Sequence, residues 1–309
     1  MSSFTIMVDS NTDLPQNYLD EHGIVTIPIP FHLDGVQYPS GYWQDITDTG
    51  FYSALRNGGY AGTSQINPES FIEVFTDYAK KEQALLVITL SSGLSGTYQN
   101  AVISLEEVKC DYPNCAISVI DSLNASGGAG LLTTLAVNKR NEGFSISETV
   151  AWLEDIRHYC LALFTVDNLM YLHRGGRLSK FSAIAGSIIG IKPILNIAPD
   201  GTLVLQDKVR GRKKALETLL DQMKSCIDPY TKQSTIIINH SDCFEDGAIL
   251  TEMIRSSFAV DEVIITMMGP IIGAHVGPGS ITLSFVSDIT REDYEKAFST
   301  KNSVKAQVG

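Results

Sequence analysis

Hydrophobic residues in this chain occur in short runs separated by longer amphipathic stretches. Two runs, ALLVITL at 84–90 and AISVI at 116–120, are nearly continuous, which is typical of parallel strands covered on both faces. Helical patterns follow them near 95–108 and 125–140. This alternation of strand and helix predicts an α/β domain in the first half of the chain.

Turn and capping residues predict further elements in the same half. The pair Asp34-Gly35 lies between two short apolar runs and predicts a β-hairpin. Asn67-Pro68 predicts the start of an amphipathic helix that runs to about Lys81.

A second series of elements begins near residue 147. It contains a helix at 147–158, a strand at 161–166, a helix at 168–174 and a pair of strands joined by the turn Pro199-Asp200-Gly201. Helices near 211–225 and 245–257 follow, with further strands near 234–239, 262–267 and 280–286. At roughly 100–200 residues per domain, a chain of 309 residues suggests two domains. We therefore expect a Rossmann-like N-terminal α/β domain at 1–160 and a second α/β domain at 161–309, whose last strand and helix could pack back on the first.

Composition and charge exclude several classes of function. Hydrophobic residues make up 44% of the chain and charged residues 19%, which is enough for a sizeable core. The formal net charge of −12 argues against a nucleic-acid-binding protein and against electrostatic docking to anionic membranes. An apolar ligand held inside the protein is compatible with both observations.

The cysteines and the apolar windows indicate a cytoplasmic protein. The five cysteines are sparsely spaced and form no CxxC pair, which favours reduced thiols. The N-terminus shows no signal-peptide pattern. Because Lys192 and Pro193 interrupt the most apolar window, at 183–198, no transmembrane segment is expected.

Three segments at predicted strand ends are rich in glycine and small hydroxyl residues. They are 62–65 (GTSQ), 91–97 (SSGLSGT) and 269–279 (GPIIGAHVGPG). Each by itself is better explained as an ordinary cap and turn. Together, at the carboxyl ends of strands, they favour a binding site for an anion. With no basic residue, no GxxxxGK[ST] and no GxGxxG in them, a single carboxylate fits better than a polyphosphate.

Other candidate sites have simpler interpretations. His240-Ser241-Asp242 has the composition of a catalytic triad, but adjacent residues rarely converge, and Ser241 or Asp242 is better explained as a helix cap. Asp9 and Asp13 could indicate a metal or phosphoryl site, but helix capping explains Asp13 well. The histidines show no HExxH or paired spacing, so we expect neither a metal nor a cofactor.

Two basic segments are notable in so acidic a chain. One spans 171–180 and contains Arg174 and Arg177, and the other spans 208–214 and contains Arg210. Cations are unfavourable near a helix N-terminus, so the second segment indicates either a solvated helix start or a surface for a partner or an anion.

These segments resemble the DegV family, the fatty-acid-binding proteins that serve a bacterial fatty acid kinase. The matching stretches are VDSNTDLP at 8–15, TSQINP at 63–68, LSSGLSGTYQNA at 90–101, YLHRGGRLS at 171–179, KPILNIAPDGTLVLQDKVRGRKKA at 192–215 and GPIIGAHVGPG at 269–279. They span essentially the whole chain. The one departure noted, Ile66-Asn67, leaves Thr63 and Ser64 intact.

The resemblance implies a fatty acid buried between two α/β domains, without a cofactor. It implies that the carboxylate is held by Thr63, Ser64, Ser92, Ser95, Gly96 and His275. It further implies that the protein presents this carboxylate to a fatty acid kinase, for lipid transport or the supply of phospholipid precursors, and that Arg174, Arg177 and Arg210 lie on the partner-binding surface.

The acyl chain would need an apolar tunnel. Plausible lining residues, each of which could equally be ordinary core, are Phe164, Leu169, Ile184, Ile188, Ile189, Ile194 and Ile271. The competing hypothesis is a serine-dependent acyl hydrolase that uses Ser95 and His275. It lacks the GxSxG signature and an obvious acidic residue to orient the histidine.

Overall fold

Strands and helices alternate along most of the chain in the computed structural model, which describes residues 4–39, 46–178, 190–228 and 230–298. The strands are β1 (Thr5–Asp9), β2 (Val25–Ile27), β3 (Phe31–Leu33), β4 (Val36–Tyr38), β5 (Ala61–Thr63), β6 (Leu85–Thr89), β7 (Ile117–Asp121), β8 (Cys160–Thr165), β9 (Ile191–Ile197), β10 (Leu203–Arg210), β11 (Gln233–His240), β12 (Val260–Met267) and β13 (Ile281–Val286). The helices are α1 (Gln16–Glu21), α2 (Asp48–Arg56), α3 (Pro68–Lys80), α4 (Thr97–Asp111), α5 (Gly127–Asn141), α6 (Ile146–Ile156), α7 (Met170–Arg174), α8 (Arg212–Lys224), α9 (Phe244–Arg255) and α10 (Pro270–Val276). No helix within these ranges is long and apolar enough to cross a membrane.

The first sheet is parallel and has the order β2-β1-β6-β7. Alternate residues of β6 face opposite sides: Leu85 and Val87 pack toward α3 and α4, while Leu86 and Ile88 pack toward α5 and α6. This confirms the prediction of a parallel sheet covered on both faces. The strand order reverses between β1 and β6, so the loops that follow these two strands diverge and leave a crevice between them.

The second sheet is mixed, with the order β10-β9-β8-β13-β11-β12. One face packs on α8 and α9. The other face turns toward the first sheet, and α5 packs against it. The absent side chains of Gly127 and Gly128 permit this approach, because a Cβ would lie 2.0 Å from Asn239 Oδ1 on β11 and 3.1 Å from Ala162 Cβ on β8, respectively.

A small third sheet, β4-β3-β5, extends from the first half of the chain. The hairpin at Asp34-Gly35 is confirmed, and both residues have the positive φ (50° and 84°) that a tight β-turn of this kind requires. The helix start at Asn67 is also confirmed, since its side chain accepts a hydrogen bond from the Ser70 amide at 2.9 Å.

Three elements were not predicted: α2, β5 and α10. Strand β5 and helix α10 lie in segments that the sequence analysis treated as glycine-rich loops. The seven-residue α10 contains Gly273 and packs against α2, where a Cβ at Gly273 would lie 2.7 Å from Tyr52 Oη. Tertiary packing, rather than local propensity, therefore stabilises this helix.

The capping roles expected for Asp13, Ser241 and Asp242 are wrong. Helix α1 begins after Pro15 without a side-chain cap, and α9 begins after Cys243 without one. Ser241 instead donates to the Gly277 carbonyl at 2.6 Å, and Asp242 pairs with Arg56.

The strands of the parallel sheet come from the first 121 residues, and those of the mixed sheet begin at Cys160. Strand β13 pairs with β8 and β11 in the mixed sheet. After it, buried Arg291 donates to the carbonyls of Cys160 and Leu123 and so links the C-terminal segment to both halves. A division near residue 160 remains a proposal.

Candidate functional site

A cavity lies between the two large sheets, at the carboxyl ends of β1 and β6 where the strand order reverses. It encloses about 760 Å³, part of which is open to solvent. Its walls come from β5, the loop after β6, the start of α5, strands β8, β9, β10 and β13, helix α7 and helix α10. The lining is mainly aliphatic, with polar side chains concentrated toward β5 and α10.

Thr63 and His275 form the centre of the polar end. Thr63 is the last residue of β5 and His275 lies on α10, and the Thr63 Oγ1 to His275 Nε2 distance is 2.8 Å. Ser64 and Gln65 follow Thr63 on the same wall. The fold thus brings together two of the three small-residue segments that the sequence analysis singled out.

The third segment contributes Ser95. Its amide donates to the Ser91 carbonyl at 3.1 Å, and its Oγ lies 3.0 Å from Thr97 Oγ1 at the start of α4. Ser92 is exposed, and neither Ser92 nor Gly96 lines the cavity. Gly96 lies close to Gln65 instead, where a Cβ would be 2.1 Å from Gln65 Oε1.

The His275 ring is neutral at pH 7. Burial, and secondarily the positive charge of Arg177, lower its pKa to about 4. Its Nδ1 is buried and has no hydrogen-bond partner among the described residues. Among the described residues, neither ring nitrogen forms a hydrogen bond with Ser95 or with a carboxylate, so the hydrogen-bonded chain of serine, histidine and acid typical of a serine hydrolase is not formed there.

The three arginines considered for a partner surface lie in different environments. Arg174 and Arg210 are exposed. Arg177 lines the cavity, with Nε donating to the Leu94 carbonyl at 3.1 Å and Nη1 donating to the Gly175 carbonyl at 2.5 Å. Burial lowers the pKa of Arg177 below its ordinary value, but a guanidinium stays charged at neutral pH, so Arg177 supplies a positive charge next to the polar end of the cavity.

The residues of the second basic segment, 208–214, also lie in different environments. Arg212 pairs with Asp246 at 2.9 Å and with Asp167 at 3.5 Å, whereas Lys213 and Lys214 are exposed. The structure thus gives Arg212 a structural role and leaves Arg210 with the two lysines at the surface.

Of the apolar residues suggested for a tunnel, Phe164 and Ile271 line the cavity. Leu169 is not among the lining residues, and Ile194 faces the opposite side of its sheet, in the core under α8. Ile184, Ile188 and Ile189 lie outside the described residues. Sequence reasoning missed the aliphatic lining residues Ile29, Leu90, Leu94, Leu172, Ile197, Leu203, Ile272 and Val276. Several of them are next to the glycine-rich segments in the sequence, and this proximity could have identified them as lining residues.

Two buried carboxyl groups lie behind the cavity wall, in the segment that follows β1. Asp9 accepts from the Leu90 amide at 2.7 Å, and Asp13 accepts from the Ser126 hydroxyl at 2.6 Å and the Gly269 amide at 2.7 Å. Burial raises the pKa of Asp9 to about 6 and that of Asp13 to about 7, despite these hydrogen bonds. Among the described residues, no group of three or more acidic, histidine or cysteine side chains could hold a metal ion.

Comparisons with known proteins agree with this architecture. The family model described as "Uncharacterised protein, DegV family" matches residues 3–288. A DegV domain-containing protein of Clostridium perfringens is 37% identical over 289 residues, which cover 93% of this chain and 99% of that protein.

Solved structures are similar over the same extent. A DegV family protein from Thermus thermophilus, described as binding fatty acid, has a TM-score of 0.83 and 30% identity, covering 92% of this chain and 99% of that one. A Thermotoga maritima protein, whose structure is described as revealing a fatty acid binding function, has a TM-score of 0.81 and 31% identity, covering 93% and 100%. The resemblance inferred from the sequence motifs is confirmed, and the chain belongs to the DegV family.

Proposed function

We propose that this protein binds a long-chain fatty acid in the cavity between its two large sheets. The observation that carries the proposal is the polarity of that cavity. Its wall is mainly aliphatic, while Thr63 contacts His275, and Arg177 lies near His275 and donates to the carbonyl of Leu94, the residue before Ser95. This distribution matches a ligand with one charged head and a long hydrocarbon chain.

The acyl chain supplies the affinity in this proposal. Burying each methylene contributes about 0.8 kcal/mol, so a chain of roughly 16 carbons offers on the order of 12 kcal/mol before the losses of binding entropy. No cofactor is needed for such binding.

The carboxylate needs partners because an unpaired charge in an apolar site is costly. The Thr63 and Ser95 hydroxyls can donate charge-assisted hydrogen bonds, and Arg177 provides a nearby positive charge. Thr63 keeps its single hydroxyl proton for the ligand when His275 Nε2–H donates to Thr63 Oγ1. The carboxylate-binding set that the family resemblance implies also includes Ser64, Ser92 and Gly96. Ser92 and Gly96 do not line the cavity and would act through the conformation of their loop.

The proteins of known structure support this ligand class. The Thermus thermophilus and Thermotoga maritima proteins are described as binding fatty acids, and each is at least 30% identical to this chain over more than nine-tenths of its length. The cavity of this chain, with its apolar walls and polar groups, suits the same class of ligand.

We further propose that the protein presents the bound carboxylate to a fatty acid kinase in the cytoplasm, for lipid transport or the supply of phospholipid precursors. In that reaction a carboxylate oxygen attacks the γ-phosphorus of ATP, giving an acyl phosphate and ADP, and the kinase supplies the catalytic groups. The exposed Arg174 and Arg210 suit a partner surface, whereas Arg177 suits the ligand head.

The test of ligand class is mass spectrometry of an organic extract from the denatured, purified protein. A near-stoichiometric long-chain fatty acid is the expected result. If the extract is empty, the delipidated protein is titrated with oleate. Absence of both a co-purified lipid and measurable oleate binding would contradict the proposal. Hydrolysis of acyl esters that is lost in Ser95→Ala would favour the hydrolase instead.

A further inference from the structure

The segment Asp9–Asp13 follows β1 and is buried, yet none of its residues lines the cavity. Its side chains hold the segments that do. Asp9 accepts from the Leu90 amide, Ser10 Oγ accepts from the Ile29 amide at 2.8 Å, and Asn11 Oδ1 accepts from the Ser126 amide at 3.3 Å. Leu90, Ile29 and Ser126 are all lining residues.

Among the hydrogen bonds of the segment Asp9–Asp13, the one between Asp13 and Gly269 joins the residues that are furthest apart in the sequence. Asp13 Oδ2 accepts from the Ser126 hydroxyl at the start of α5, and its Oδ1 accepts from the amide of Gly269 at the start of α10. One carboxyl group therefore fixes the start of α10 relative to that of α5. Its own backbone has φ of 50°, an uncommon value for a residue with a side chain, and the Asn239 amide group also donates to its carbonyl.

Helix α10 carries much of the cavity wall. Ile271, Ile272, His275 and Val276 lie on it and line the cavity. The start of the helix is held from two sides, because Asp13 binds the Gly269 amide and the Tyr52 hydroxyl donates to the Met268 carbonyl at 2.7 Å. His275 lies less than two turns from this start, so a shift of the helix there moves its ring relative to Thr63.

We propose that Asp13 is a positioning residue for the ligand: by anchoring the N-terminus of α10 it holds the His275 ring against Thr63, in the geometry that binds the fatty-acid carboxylate. This inference rests on the proposed fatty acid binding. Asp13 does not touch the ligand, and its effect passes through α10.

The experiment compares Asp13→Ala with Asp13→Asn in the full-length, delipidated protein. Asn retains an oxygen that accepts from the Gly269 amide and gains an amide group that donates to Ser126, whereas Ala does neither. Dissociation constants are measured with cis-parinaric acid by fluorescence and with oleate by competition. We expect Asp13→Ala to raise both constants about tenfold, equivalent to roughly 1.4 kcal/mol, and Asp13→Asn to restore most of the affinity.

A second measurement separates positioning from stability. The ¹⁵N NMR signals of the His275 imidazole are recorded in the ligand-free protein, with Thr63→Val as the reference for a broken Thr63–His275 contact. Asp13→Ala should move the His275 signals toward those of Thr63→Val, and Asp13→Asn should not. Tyr294→Phe removes a buried hydrogen bond to Gln222 in the core under α8 and serves as a control that lowers stability without changing either readout.

If Asp13→Ala fails to fold, Gly269→Pro tests the same contact from the other side, because it deletes the donor amide at a φ of −65° that proline adopts. It should likewise weaken binding and shift the His275 signals. Unchanged affinity and unchanged His275 signals in whichever of these variants folds would overturn the inference. If the wild-type protein binds neither fatty acid, the proposed function fails, while the His275 signals still decide whether Asp13 positions the ring.

Discussion

Thr63 and His275 are 212 positions apart, and their contact gives the cavity its polar end. The Thr63 hydroxyl has a single proton, so it can donate to a carboxylate when the neutral His275 ring carries its proton on Nε2 and donates to Thr63 Oγ1. Ser95, on the loop after β6, offers a second hydroxyl.

Removing these hydroxyls should weaken ligand binding. Thr63→Val and Ser95→Ala each deprive a buried carboxylate of a donor, which we expect to cost about 1–3 kcal/mol of binding free energy. Titration calorimetry with oleate measures the change. Ser234→Ala is the control, because Ser234 is an exposed hydroxyl on β11 that does not line the cavity. Equal affinities in all three variants would refute the assignment of the carboxylate site.

His275 should make the ligand-free protein sensitive to acid. Its folded-state pKa is about 4, below the ordinary value of 6.5, so the unfolded chain binds a proton that the folded protein does not. The stability contributed by the neutral ring is present above about pH 6.5 and is lost as the pH falls toward 4. Between pH 7 and pH 4.5 the loss should be about 2–3 kcal/mol.

Urea denaturation of the wild type and His275→Gln at both pH values isolates this effect. The comparison is needed because the carboxyl groups of Asp9 and Asp13 change the folding stability with pH in the direction opposite to His275. Their folded-state pKa values, about 6 and about 7, lie above the ordinary 3.8, so their contribution is fully present only at low pH and is lost as the pH rises through those values. An equal loss of stability in the wild type and the variant would show that the His275 pKa is not depressed.

At the scale of elements, the hairpin formed by β9 and β10 packs against the loop after β6, which carries Ser91 and Ser95. Its turn approaches the loop so closely that a Cβ on Gly201 would lie 2.1 Å from Ser91 Oγ, and that hydroxyl donates to the Gly201 carbonyl at 2.8 Å. Ile197 and Leu203, on either side of the turn, line the cavity. The turn therefore connects one apolar wall to the loop that carries Ser95.

Gly201→Ala should disturb both the turn and the site. Gly201 has φ of 76°, so alanine is strained there, and its Cβ also collides with Ser91. Gly143→Ala is the control, because Gly143 has φ of 89° but open space around its Cβ position. Both variants should lose about 1 kcal/mol of folding stability from backbone strain, and Gly201→Ala should lose more. Only Gly201→Ala should also weaken oleate binding; a similar affinity change in both would contradict the coupling of turn and site.

At the scale of the whole molecule, Arg174 and Arg210 are exposed, and neither lines the cavity. The proposed carboxylate site lies in the cavity between the sheets, while Arg210 is exposed at the end of β10. This separation allows a partner to contact the protein without displacing the acyl chain.

Arg210→Ala should therefore separate ligand binding from presentation. We expect unchanged oleate affinity and slower formation of acyl phosphate when the protein is incubated with a fatty acid kinase and ATP. Arg255→Ala, an exposed arginine on α9, is the control for loss of a surface charge. If Arg210→Ala instead abolished oleate binding, the proposal of a partner surface at this residue would be wrong.

The sequence by itself determined the α/β class, the parallel strands, the hairpin at Asp34-Gly35 and the helix start at Asn67, because periodicity and turn chemistry are local. Its motifs also determined the family. Neither α10 nor the role of Asp13 could be predicted in this way. Helix α10 is short, contains glycine and is stabilised by packing against α2, and Asp13 acts on an amide 256 residues away.

Tertiary structure also decided which of the candidate residues meet at the site. Thr63, Ser95 and His275 lie at one end of a cavity. Arg177, which was expected on the partner surface, lines the cavity instead, and Arg210 is exposed. These relations depend on how two sheets pack across α5 and on close approaches such as that at Gly127. A one-dimensional pattern records which side chains are apolar or polar, but the distance between residues far apart in sequence is fixed only when the sheets pack together.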